Sequence, residues 1–169
     1  LSKLYLNLEN SKDFVVIDGC IFTSDRKTLI HIPETKSIDI PEFVEHIGNA
    51  ACSGYEDMKE IKLCEGLKTI GKWAFVGAGI ASLNMPDSVV SIGENAFLMA
   101  ELERVRLSNS LEVIPEGCFN LCFLEEFSIP FSVRTIGNRS YRALWINDII
   151  IPEGVERIGY NVFQDLDSI

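Results

Sequence analysis

Apolar residues return along this chain at a fixed interval. Ile47, Ile70, Ile92, Ile114, Ile136 and Ile158 stand 22 residues apart after a first step of 23, each followed by glycine or, once, by Pro115. Two more columns keep the step: Ile38, Ile61, Leu83, Val105, Phe127 and Ile149, then Ile40, Leu63, Met85, Leu107, Ile129 and Ile151. A period this regular predicts one supersecondary unit stacked on copies of itself, because a single unit of this length cannot bury its own apolar side.

Within one unit the pattern changes twice. Leu124, Phe127 and Ile129 face one way and Glu126 and Ser128 the other, the alternation of a short strand. Pro130-Phe131-Ser132 then reads as a turn, aligned with Pro86-Asp87-Ser88 and Pro152-Glu153-Gly154. Val133 and Ile136 return to the core, Gly137 marks a second bend, and Ser140-Tyr141 takes a small-aromatic position expected on a helical turn. The expected fold is a solenoid with one parallel β-strand per coil of 22–23 residues, and turns and short helical segments on the other side.

The first residues break the period. Phe14–Ile17, Asp18-Gly19 and Cys20–Phe22 read as strand, tight turn, strand, and Ser24–Lys27 as a second turn before Leu29–Ile32. These predict an antiparallel meander capping the first coil, which divides the chain into a cap over residues 1–36 and about six coils over 37–169. The chain opens on Leu1 and stops at Ile169, where another strand is due, so a longer parent protein is expected.

Charge narrows the partners. A net charge of −10 and an isoelectric point near 4.6 disfavour nucleic acid, which requires a basic stripe, and anionic membrane surfaces. No apolar run reaches the roughly 18 residues that a membrane-spanning helix needs, so no membrane insertion is expected in this segment. The five cysteines are odd in number and form no C-x-x-C pair; Cys52 and Cys118 occupy apolar columns and read as small buried thiols. His31 and His46 are isolated, and no calcium loop or nucleophile–base set is visible, so no metal, cofactor or catalytic residue is expected.

The unit can be written L-x-x-I-x-I-P-x-S-V-x-x-I-G-x-x-A-F, as in Ile80–Phe97 and Ile146–Phe163. It resembles the leucine-rich repeats of the BspA-like class, found on bacterial and some protozoan cell surfaces. Ala51-Cys52-Ser53-Gly54-Tyr55 is similar to that class's A-F-S-G-C stretch, with Phe and Cys replaced. Most coils here are one residue shorter than the common 23, the residue being lost before the strand. The resemblance implies a secreted or cell-surface binding protein of adhesin-like type, engaging a host or matrix protein, and it transfers no catalytic residue.

Candidate contact residues are the outward strand positions Glu60, Lys62, Asn84, Arg104, Arg106, Glu126, Ser128 and Asp148. Arg104 and Arg106 form a basic spot suited to a partner carboxylate; the competing reading is a solvated face neutralised by Glu60, Glu126 and Asp148. Phe123 and Trp145 share a column with Gly79 and Glu101, and Phe131 interrupts a polar turn column. These aromatics read either as contact residues or as packing against a neighbouring coil. Trp73 stands outside the pattern. A structural role, with coils self-assembling through an uncapped C-terminal coil, is the alternative function.

Overall fold

The structure is a computed structural model that describes residues 12–141 and 149–164. Three antiparallel strands open it: β1 (Phe14–Ile17), β2 (Cys20–Thr23) and β3 (Thr28–His31). Asp18 and Gly19 both hold positive φ, 50° and 79°, as a two-residue turn matched to strand twist requires. Asp25 shapes the second turn by accepting from the Thr23 hydroxyl at 2.6 Å and the Lys27 amide at 3.0 Å.

Each coil then contributes two strands, where the alternation predicts one. The front row is β4 (Ser37–Asp39), β6 (Glu60–Lys62), β8 (Ser82–Asn84), β10 (Arg104–Arg106) and β12 (Glu126–Phe127). The second row is β5 (His46–Ile47), β7 (Thr69–Ile70), β9 (Ser91–Ile92), β11 (Val113–Ile114), β13 (Thr135–Ile136) and β14 (Arg157–Ile158). Two residues are too few to show a period, so the second row is invisible to alternation alone. The cap is continuous with this row, since β3 pairs in parallel with β5.

Among the described residues there is no helix, which corrects the helical segments expected at the small-aromatic position. The reason lies in the backbone. Ala50, Trp73, Asn95, Gly117, Arg139 and Asn161 occupy one column and all have φ between 53° and 62°. Gly54, Gly77, Met99 and Leu121 form a second left-handed column four residues on. A right-handed helix cannot pass through such residues. The amides in this stretch bond instead to the next coil: Cys52 to Ala74, Phe75 to Ala96, Phe97 to Cys118, Phe119 to Ser140 and Tyr141 to Val162, at 2.7–3.1 Å. This turn row is a third ladder, unbroken from coil to coil.

The columns of the sequence become stacked layers inside. Phe75, Phe97, Phe119 and Tyr141 are fully buried, with successive ring centroids 5.2, 5.3 and 5.5 Å apart and planes within 13° of parallel. That spacing is close to the separation of neighbouring strands, so the backbone stack sets the ring stack. The Tyr141 hydroxyl finds no hydrogen-bond partner among the described residues, an uncompensated polar group in a phenylalanine column.

Both strand rows are interrupted once. In the front row β4 pairs with β6, and β8, β10 and β12 pair with one another, but β6 and β8 are not joined. Ile40 donates to Lys62 and Met85 to Arg106, yet Leu63 makes no such bond to Asn84. The cause is length. Two residues separate Tyr55 from Met58, whereas one separates Ala78 from Ile80 and Ala100 from Leu102, so the 23-residue coil runs out of step just before β6. In the second row the gap lies between β9 and β11. Gly48, Gly71, Gly93, Gly137 and Gly159 each donate one bond to the preceding coil at 2.7–2.8 Å, and Pro115, in the same column, has no N–H to give. Its ring also stands where the glycines approach closely: a Cβ on Gly93 would lie 2.3 Å from the Lys72 nitrogen.

Candidate surface of the front strand row

The front row carries its functional positions because burial alternates residue by residue. In β6, β8 and β10 the middle residues Ile61, Leu83 and Val105 are buried, and the flanking pairs Glu60/Lys62, Ser82/Asn84 and Arg104/Arg106 are exposed. Parallel register sets them in two files, Arg104 beside Ser82 and Glu126, and Arg106 beside Asn84. Ser128 is exposed; Trp145 and Asp148 lie outside the described residues, as does the side chain of Glu126.

The two arginines are already engaged. Arg106 donates to the Met85 carbonyl at 2.7 Å, to Asp87 Oδ1 at 3.1 Å and to Asn84 at 3.4 Å. Asp87 also accepts from the Asn109 amide, and these bonds hold its carboxyl below the usual carboxylate range, the Asn109 amide contributing most. Among the described residues Arg104 reaches Glu103, at 3.5 Å. The carboxylates found on the arginines are thus a turn residue, Asp87, and a strand-flanking neighbour, Glu103; Glu60 is not among them, and the Glu126 side chain and Asp148 lie outside the described residues. Asp87 lies 19 residues from Arg106 and meets it only because the coils stack.

A groove of about 590 Å³ runs over the open front seam. Its walls are Asp39, Glu60, Lys62 and Glu65 on one side and Ser82, Asn84, Asp87 and Arg106 on the other. Inspection of the strand faces missed this groove; the single 23-residue step in the period is its signal in the sequence. The inserted residue also dictates a neighbour. A Cβ on Gly79 would lie 1.9 Å from the Glu56 carbonyl oxygen, so the column that holds Glu101 and Phe123 in later coils admits only glycine here.

The aromatic candidates divide. Phe123 and Phe131 are 58% and 84% exposed, but Phe123 precedes β12 and Phe131 follows it, so they flank the strand at opposite ends. Ile150, in the file of Arg106 and Ser128, is 85% exposed. Trp73 is half-exposed in its left-handed position, and Met99 and Leu121 are exposed in theirs. These three bulky residues stand where Gly54, Gly77 and Gly117 serve other coils.

The remaining polar groups serve the fold. His46 Nδ1 lies 2.8 Å from the Thr69 hydroxyl, and the Tyr55 hydroxyl donates to the Ile32 carbonyl at 2.6 Å, tying the cap to the first coil. Glu45 is gripped by Lys27 at 2.6 Å and by Lys68, which lowers its carboxyl to about 2. All five cysteines are buried and free, and burial raises the Cys118 thiol well above the usual thiol range and the Cys122 thiol to about 12, so neither is a thiolate near neutral pH. In the sequon Asn138-Arg139-Ser140 the serine is buried and donates to the Gly137 carbonyl. No group of histidine, cysteine and carboxylate suited to a metal ion occurs among the described residues, and no helix of theirs is long and apolar enough to cross a membrane.

Comparison with known proteins fits this geometry. The model of the BspA type leucine rich repeat region matches six times, over residues 26–145 and 135–169. No curated protein sequence matches significantly. Among solved structures, a leucine-rich repeat protein from Eubacterium ventriosum superposes with a TM-score of 0.69 at 19% identity, covering 95% of this chain and 52% of that one. The pneumococcal vaccine antigen PcpA gives 0.66 at 24% identity, over 84% of this chain and 39% of its own. A leucine rich cell surface protein from Faecalibacterium prausnitzii gives 0.50 at 22% identity, over 94% of this chain and 44% of that one. This chain therefore spans about half or less of the length of each, and at such identities the likeness is one of fold. Six matched repeats covering the stacked coils make this chain a member of the BspA-type leucine-rich repeat family.

Proposed function

We propose that this chain is a non-enzymatic protein-binding module of a secreted or cell-surface protein, and that it engages an extracellular host or matrix protein through the outer face of its front strands. One observation carries the reading. The inward positions of the front row are uniformly apolar, while the outward files vary from coil to coil: Asp39, Lys62, Asn84, Arg106, Ser128 and Ile150 in one of them. A stack that held only itself together would place no demand on that variety, whereas a binding face draws its specificity from it. The likeness to a cell surface protein of Faecalibacterium prausnitzii supports the location.

The test is a direct-binding screen of the purified chain against extracellular matrix and serum proteins, with Arg104→Glu/Arg106→Glu alongside and its folding verified. The reading predicts at least one saturable partner whose affinity the front-face variant changes. Silence across the panel counts against it.

A second reading, self-assembly, draws on the last described coil, where Ile151 and Ile158 are 39% and 50% exposed although their columns are buried in earlier coils. Sedimentation across a concentration series separates the two, since a strict monomer removes assembly through this end.

A further inference from the structure

Ion pairs hold several of the charges in the second row and in the front row beyond the seam. In the second row Glu45 is held by Lys27 and Lys68, and Glu94 by Lys72; Glu116 meets Arg139 at 3.6 Å. In the front row beyond the seam Asp87 holds Arg106 and Glu103 meets Arg104. Asp39, Glu60 and Glu65 are exposed and in no ion pair among the described residues, and the unpaired cation beside them is Lys62. These groups line the groove where the ladder from Leu63 to Asn84 is missing, so the local excess of negative charge coincides with that opening. With Asp87 and Arg106 paired to each other, the walls keep three carboxylates against one lysine. A concave site with an excess of one sign of charge focuses its field and selects the opposite sign.

We infer that this groove receives a lysine or arginine side chain from an extended segment of the protein partner. The inference rests on the protein-binding reading above and specifies which chemistry the face selects. It reverses the polarity expected from Arg104 and Arg106, because Arg106 already spends its donors on Asp87, Asn84 and Met85 and forms the far wall of the groove. Ser82 and Asn84 add neutral hydrogen-bonding groups to the floor, suited to the backbone that carries the cation.

The probe is a short synthetic peptide bearing lysine at alternate positions, compared with its glutamate-bearing counterpart by titration into isotope-labelled protein followed by NMR. The lysine peptide is expected to bind, with amide shifts concentrated over residues 60–65 and 82–84. Glu60→Gln/Glu65→Gln should weaken it roughly fivefold, the effect of losing two exposed charge contacts. Glu112→Gln/Glu156→Gln, which removes equal charge from exposed second-row positions, should leave it nearly unchanged. Equal weakening by both pairs would reduce the binding to overall charge and overturn the proposal, as would a preference for the glutamate peptide. A partner from the screen that is lost on Arg104→Glu/Arg106→Glu but kept by Glu60→Gln/Glu65→Gln would overturn the cation groove and leave the protein-binding reading standing.

Discussion

The two strand rows of this solenoid each break once, and the breaks have different origins. Between β6 and β8 the cause is one residue too many: the coil before it is 23 long, and the surplus beside Glu56 and Asp57 throws the next strand out of step. Between β9 and β11 the cause is one residue of the wrong chemistry, Pro115, which lacks the N–H of its glycine column. The first break opens a groove whose walls hold unpaired carboxylates, and the second leaves β9 and β11 unjoined. The stack survives both because each seam opens one strand row only: β7 pairs with β9 beside the first and β8 with β10 beside the second. The turn row, with its own ladder and the aromatic pile, runs through without a gap. Each strand row is thus dispensable at one junction, and the turn row is the ladder present at every junction of the described coils.

The strongest way to break that contrast is Phe97→Ala. This ring stacks on Phe75 across the first seam and on Phe119 across the second, and at each of these junctions one of the two strand rows is open. The expected loss is about 3–5 kcal/mol of unfolding free energy in denaturant titration. A loss under 1 kcal/mol would return the weight to the strands.

Next is Gly79→Ala, which sets a methyl against the Glu56 carbonyl and should cost roughly 2–3 kcal/mol. Deleting Asp57 shortens the coil to the common length and should relieve most of that cost, because Glu101 and Phe123 already occupy the column in 22-residue coils. If the deletion brings no relief, coil length is not what forbids a side chain there.

A smaller effect sharpens the account of the turn row. Met99→Gly should raise stability by about 0.5–1 kcal/mol, since the residue is more than half exposed and holds φ 57°. Smallest of all is Pro115→Gly. The regained bond to Ile92 and the greater freedom of the unfolded chain nearly offset each other, so the net change should stay within roughly 1 kcal/mol. Its clear readout is hydrogen exchange: the introduced amide should be as protected as those of Gly93 and Gly137.

Much of this was legible in the residues. The 22-residue columns place Ile61, Leu83 and Val105 inside and the aromatic column in the core, because each coil buries the same face. Both seams are visible too, as a step of 23 and a lone proline, but their effects depend on which backbone groups they leave unbonded in a neighbouring coil. The small-aromatic position, Ser140-Tyr141 in one coil and Ala74-Phe75 in another, invited the helical reading; the left-handed residues that prevent it, Trp73 and Arg139 among them, share no single residue type. The pairing of Arg106 with Asp87 was hidden for a similar reason, since it joins adjacent coils through a turn.

The central claim is that an opening made by one surplus residue gives the front face its selectivity. The most direct measurement is the affinity of the lysine-bearing peptide for the chain with Asp57 deleted, a change that touches no residue lining the groove. The account predicts that exchange between β6 and β8 slows as the ladder closes and that peptide binding is lost with the groove. Unchanged affinity on a closed ladder would contradict it.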